Sequence, residues 1–172
     1  MSSAHSPQRS KYRFQVSVIM ERRQIRHGRW SVPQWEAVGV VAGEGLAGAE
    51  DEPITVHVDE AREQHLWPGF VLDLTKGSAE SYWYNLVGKN PALYVVCQAE
   101  DGGRLVPMRV TAEYDAAAAH VEAEDEVFAV PIPPEIYRDL ERYVVENYKP
   151  TPPRKRKRAN WAQEALGGKR SR

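Results

Sequence analysis

Ala92-Leu93-Tyr94-Val95-Val96-Cys97-Gln98-Ala99, the turn residues Asp101-Gly102-Gly103, and Leu105-Val106-Pro107-Met108-Arg109-Val110-Thr111-Ala112 decide the fold class. Two apolar runs of strand length flank a pair of glycines, and glycine tolerates the positive φ that tight hairpin turns demand. The segment therefore reads as an antiparallel hairpin.

Working towards the N-terminus, Asn90-Pro91 marks the turn that precedes this hairpin, and Tyr82 to Val87 is rich in aromatics, which favour a pleated surface. Phe70, Leu72 and Leu74 alternate with Val71, Asp73 and Thr75, as Ile54, Val56 and Val58 do with Thr55, His57 and Asp59, so two short strands are expected there. Residues 35–42 are apolar on both faces after Glu36 and predict a central strand, ended by the glycine cluster at 43–48 and an acidic loop. Phe14, Val16, Val18 and Met20 carry the period-2 signature of a first strand with one buried face.

Towards the C-terminus, Asp115 is placed to cap an alanine-rich helix over 116–123, and residues 127–130 form one more short apolar run. Pro131-Ile132-Pro133-Pro134 leads into a second helix over 135–148, on which Ile136, Leu140, Tyr143 and Val144 recur at helical spacing. No β-α-β alternation and no internal repeat is present. The expected class is α+β: an antiparallel β-sheet or small barrel-like core with two C-terminal helices and a disordered basic tail. Residues 1–10 are read as a flexible N-terminus, 11–148 as a single strand-rich domain, and 149–172 as a proline-rich hinge followed by the tail.

The chain has 172 residues, 42% hydrophobic and 27% charged, which suits a globular domain with a sizeable core. No apolar run approaches the ~18 residues of a membrane-spanning helix, so no membrane insertion is expected. The polar start lacks a signal-peptide pattern, and the single cysteine forbids an intrachain disulfide. A cytoplasmic location is the simplest reading. The net charge of −1 conceals segregation: +6 over residues 1–30, −15 over 31–148 and +8 over 149–172. The bland account is a basic tail lying against its own acidic domain; the alternative is an external partner.

Candidate chemistry is sparse. His57, Asp59, Glu63 and His65 gather ligand types, but their spacing matches no standard zinc pattern, and no metal or cofactor is expected. Cys97 sits in an apolar run without a neighbouring base and reads as a core residue. No Ser-His-Asp arrangement is visible locally, and Gly43, Gly45 and Gly48 lack the ending of a phosphate loop. What remains is adhesive. Tyr82, Trp83 and Tyr84, with Trp30, Trp35 and Trp67, supply either core or a partner platform. Arg154, Lys155, Arg156, Lys157 and Arg158, followed by Trp161, combine charge with a stacking surface and are either a solvated tail or a partner-binding segment.

Several segments in order resemble an uncharacterised bacterial family, a domain of unknown function encoded beside molybdenum-dependent formate dehydrogenase genes. They are Val18-Ile19-Met20-Glu21-Arg22, Trp30 with Trp35 and Gly39-Val40, Trp83-Tyr84-Asn85-Leu86, Val110-Thr111 with Tyr114-Asp115, and Val130-Pro131-Ile132-Pro133 leading to the basic tail. The sequence departs from that pattern at 43–53 and in an insertion-like stretch at 65–78. The resemblance implies an accessory protein serving production or assembly of that dehydrogenase, with its subunits, or another protein of the same pathway, as partners; the lack of a catalytic cluster and the adhesive ends of opposite charge to the body suit a non-catalytic adaptor or chaperone-like module. From their charge and aromatic content, the basic tail and the Tyr82, Trp83, Tyr84 segment would be the contacts. An enzyme or carrier in molybdenum-cofactor handling and a nucleic-acid-binding regulator acting through the tail are the alternatives.

Overall fold

The computed structural model describes residues 11–43 and 52–152. Among these the elements run β1 (Arg13–His27), β2 (Trp30–Ala42), β3 (Ile54–Val58), β4 (Arg62–Asp73), α1 (Ala79–Val87), β5 (Leu93–Ala99), β6 (Leu105–Thr111), α2 (Tyr114–Glu122), β7 (Glu126–Val130) and α3 (Pro134–Asn147). The strands form two antiparallel sheets, ordered β2-β1-β4-β3 and β6-β5-β7. This overturns the expected single sheet or small barrel: the fold is α+β, with two antiparallel sheets, three helices and no closed barrel. The reason is the connection between β4 and β5. It is a helix, so the meander breaks there, and each sheet keeps two edge strands instead of the continuous ladder that closure requires.

The hairpin that sets the class is present as β5 and β6. Gly102 (φ 97°) and Gly103 (φ 84°) turn the chain, and the Glu100 N–H donates to the Arg104 carbonyl at 2.8 Å. Pro107 lies within β6, opposite Cys97. A proline lacks the N–H that an inner strand must offer, and β6 is accordingly an edge. Residues 35–42 form an edge as well, not a central strand, because β2 pairs only with β1. Their two-sided apolarity has another cause: Ala37 and Val40 face the core, while residues 38–42 also line a groove with Pro131 to Pro134. The inner strands of the larger sheet are β1 and β4, and β1 is twice as long as its apolar alternation suggested. The stretch at 65–78 supplies most of β4 and the 3-10 turn Lys76–Ser78.

One core serves both sheets. Val16, Val18 and Met20 of β1 meet Leu93, Val95 and Cys97 of β5, and Ile136, Leu140 and Tyr143 of α3 close the same cluster. Helix α3 starts with Pro134 at its first turn, where the missing N–H costs nothing. Helix α2 follows Glu113, and Asp115 makes no side-chain cap.

Residues 82–87 are helical, not extended. Their aromatics suggest a strand, but burial falls on Ala79, Tyr82 and Asn85, three apart, as a helix face requires. Asn85 fixes that face. Its amide nitrogen donates to the Ala92 carbonyl (2.7 Å) and the Ala112 carbonyl (2.9 Å), and its oxygen accepts from the Ala92 N–H at 3.0 Å. The amide thus ties α1 to the start of β5 and the end of β6. Ser81 adds a fourth tie, its hydroxyl oxygen accepting from the Asp115 N–H at the head of α2.

Candidate functional site

Because α1 is a helix, Tyr82, Trp83 and Tyr84 fan out around it instead of alternating across a sheet. Tyr82 turns inward, 1% exposed, with its hydroxyl accepting from the Thr75 N–H and its ring edge-on to Tyr143. Burial raises its pKa above the ordinary phenol value, against the opposing effect of the Thr75 contact. Trp83 is half-buried between the rings of Tyr84 (centroids 5.0 Å) and Tyr148 (5.3 Å). Tyr84 is 53% exposed. Arg154, Lys155, Arg156, Lys157, Arg158 and Trp161 lie outside the described residues.

Trp83 opens onto a groove of about 750 Å³ between α1 and α3, floored by Leu86 and Val144 and rimmed by Val87 and Val145. Val145 is 79% exposed and Val87 58%. Arg138, Arg142, Glu141 and Glu146 line its flanks, so the groove is apolar inside and mixed in charge outside. Water gains nothing from such a surface, and an apolar partner side chain does.

A second surface lies at the other end of β1, where the sequence reading assigned no element. Strand β4 accompanies β1 only as far as the Arg23↔Arg62 pair. Beyond it the Gln24 N–H still reaches the Ala61 carbonyl at 3.3 Å, and from Ile25 onward β1 and β2 continue alone as a two-stranded arm with pairs Ile25↔Val32, Arg26↔Ser31 and His27↔Trp30. Gly28, at φ 61°, and Arg29 make the two-residue turn. The missed signal was His27-Gly28-Arg29-Trp30, with glycine at the first central position that a tight hairpin demands. Trp30, at the tip, is 78% exposed.

The arm is anchored at its root by charge. Glu21 is 1% exposed; it forms an ion pair with Arg23 and accepts from the Gln64 amide at 2.5 Å. Burial alone would raise its pKa, but the Gln64 and Arg23 hydrogen bonds outweigh burial and hold it below the ordinary carboxylate value. Arg23 also reaches Glu36 (3.3 Å), and Arg22 reaches Glu63 (3.3 Å). Trp35 and Trp67 are engaged inside the fold: the Arg104 guanidinium lies 5.1 Å from the Trp67 ring centroid and 5.9 Å from that of Trp35, joining the β5–β6 turn to the larger sheet.

The residues considered for catalysis are held in structural roles. Asp59 organises the β3–β4 turn, accepting from the Ala61 and Arg62 N–H groups at 2.8 and 2.9 Å and from His57 at 2.8 Å. The His57 contact, foremost, and the two backbone donors drive its pKa far down. His65 instead meets Thr55 on the neighbouring strand. No group of three or more His, Cys, Asp or Glu converges in a metal-binding geometry among the described residues. Cys97 is buried, as its apolar run suggested, and its thiol pKa is pushed up to about 12 by burial, with Glu126 adding to the shift. A thiol so protonated is a poor nucleophile at neutral pH. No helix among the described residues is long and apolar enough to cross a membrane.

The chain belongs to the family described as Protein of unknown function (DUF3305), whose model matches residues 15–158. The match takes in both sheets, all three helices and the arm. The formate dehydrogenase association implied by the sequence resemblance is not part of what the match shows. No curated protein and no solved structure matches the chain.

Proposed function

Starting from membership of this family, we propose that the protein is a non-catalytic binding module, an accessory in the production or assembly of a molybdenum-dependent formate dehydrogenase. One observation carries the binding reading: the α1–α3 groove, with Val87 and Val145 exposed and half-buried Trp83 lining it around an apolar floor. Trp83 and Tyr84 supply rigid aromatic contact area, while buried Tyr82 sets the helix that presents them. The dehydrogenase as partner is supported by the sequence resemblance alone. Basic residues 154–158 and Trp161 extend this contact in the proposal, as the chain leaves α3 beside Trp83 at Tyr148.

The test is binding of the full chain to purified dehydrogenase subunits by calorimetry. Val145→Asp, on the groove rim, is expected to weaken binding at least tenfold while leaving the unfolding midpoint unchanged, because the residue is 79% exposed. No binding by the wild type, or equal binding by the variant, removes the groove from this function.

A further inference from the structure

The arm is not explained by the fold. Residues 22–35 contain four arginines, one histidine and two tryptophans without a single acid, immediately before the strongly acidic body of the chain. Arg22 and Arg23 are neutralised at the root by Glu63, Glu21 and Glu36. Arg26 and Arg29 have no ion pair with any described carboxylate. Trp30 leaves most of its indole in water, and residues 23–34 are exposed except for half-buried Ile25. The three unsupported pairs, Ile25↔Val32, Arg26↔Ser31 and His27↔Trp30, project roughly 10 Å at about 3.3 Å per residue. A two-stranded ribbon is marginal by itself, so this one contributes little to stability while concentrating cations and an aromatic ring at its tip.

Those features select a partner. The cations call for a polyanion, and the −15 segment that follows would repel one everywhere but at the arm and the chain ends. Arg26 and Trp30 stand on opposite faces of the ribbon, since they belong to adjacent cross-strand pairs. A planar membrane surface meets one face of a ribbon. A flexible strand curling over a tip one ribbon thick meets both, and offers unpaired bases to the indole. We propose that the arm binds single-stranded nucleic acid, with Arg26 and Arg29 on phosphates and Trp30 stacked on a base. This surface is separate from the α1–α3 groove and does not depend on the reading given to it.

The test is fluorescence anisotropy of a fluorescein-labelled 15-nucleotide oligouridylate titrated with the full chain at several salt concentrations. Trp30→Ala is expected to weaken binding roughly tenfold, the loss of one stacked base. Arg26→Gln with Arg29→Gln is expected to reduce the log–log salt slope by about 1.4, two contacts on a single strand. Val145→Asp is expected to bind the oligonucleotide as the wild type does, which keeps the groove and the arm distinguishable. Absence of binding overturns the proposal, and so does binding that neither arm substitution changes, because the contact then lies elsewhere on the chain. Tighter binding to a 15-base-pair duplex, or equal binding to polyglutamate or phosphatidylserine vesicles, overturns it as well.

Discussion

The two ends of β1 are built to opposite specifications. Beside its first residue Tyr12 packs edge-on against Tyr143 (4.9 Å) and donates its hydroxyl to Glu146 (2.7 Å), so α3 is bolted to the larger sheet there. Fourteen residues on, at His27, the same strand has lost its β4 partner and ends in water. The middle is buried on both sides, with Val18 and Met20 in the core and Glu21 covered on the other face. One continuous strand therefore carries core energy at one end and exposed chemistry at the other. Stability and binding are separable by position.

The sharpest way to break that separation is to cut into the core end. Leu140→Ala, at a fully buried α3 position, should cost about 3 kcal/mol from lost transfer energy and the cavity left behind. Trp30→Ala, despite removing a larger side chain, should stay within about 0.5 kcal/mol. Urea unfolding followed by circular dichroism compares them. A Trp30 cost rivalling that of Leu140 would mean that the arm is part of the core after all.

Next in size is Asn85→Ala, which orphans a buried N–H and removes the amide that two carbonyls share. It should cost about 2 kcal/mol. Hydrogen exchange should show the loss as earlier opening of α1 than of β1. Uniform acceleration throughout would mean that the amide does not act locally.

The smallest expected effect sharpens the comparison at the arm root. Glu21→Gln keeps the shape but removes the charge that holds Arg23, at about 1 kcal/mol near neutral pH. Because the folded carboxyl titrates below its ordinary value of 4.5, its stabilisation is present above that value and is lost as pH falls through the lower folded one. The variant should therefore show a shallower decline in urea midpoint below about pH 4.5. Parallel declines in wild type and variant would assign the acid sensitivity to other carboxylates.

The two ends also differed in how much the sequence disclosed. The β5–β6 hairpin, β3, β7 and α3 were readable because each pairs a clean period with a turn residue, as Gly102-Gly103 and Pro133-Pro134 do. Helix α1 was not, since its aromatics obey strand propensity while Asn85 and Tyr82 answer to tertiary partners distant in sequence. The arm escaped for the opposite reason. Alternation is visible only when one face is apolar, and from Arg22 to His27 only Ile25 is. Of the candidate residues, Trp83 and Tyr84 reach an open surface, whereas Arg26, Arg29 and Trp30 acquire meaning only from the turn that brings them to one tip.

A last consequence follows from where the prolines stand. Each sheet ends on one side in a strand with an interior proline, Pro33 in β2 and Pro107 in β6, and neither residue can donate to an incoming neighbour. Edge strands without such an interruption are templates for lateral growth, the first step of fibre formation in crowded or freshly translated chains. Proline at β2 and β6 denies an incoming strand a ladder hydrogen bond, so lateral growth would have to start from β3 or β7, the edges without that interruption.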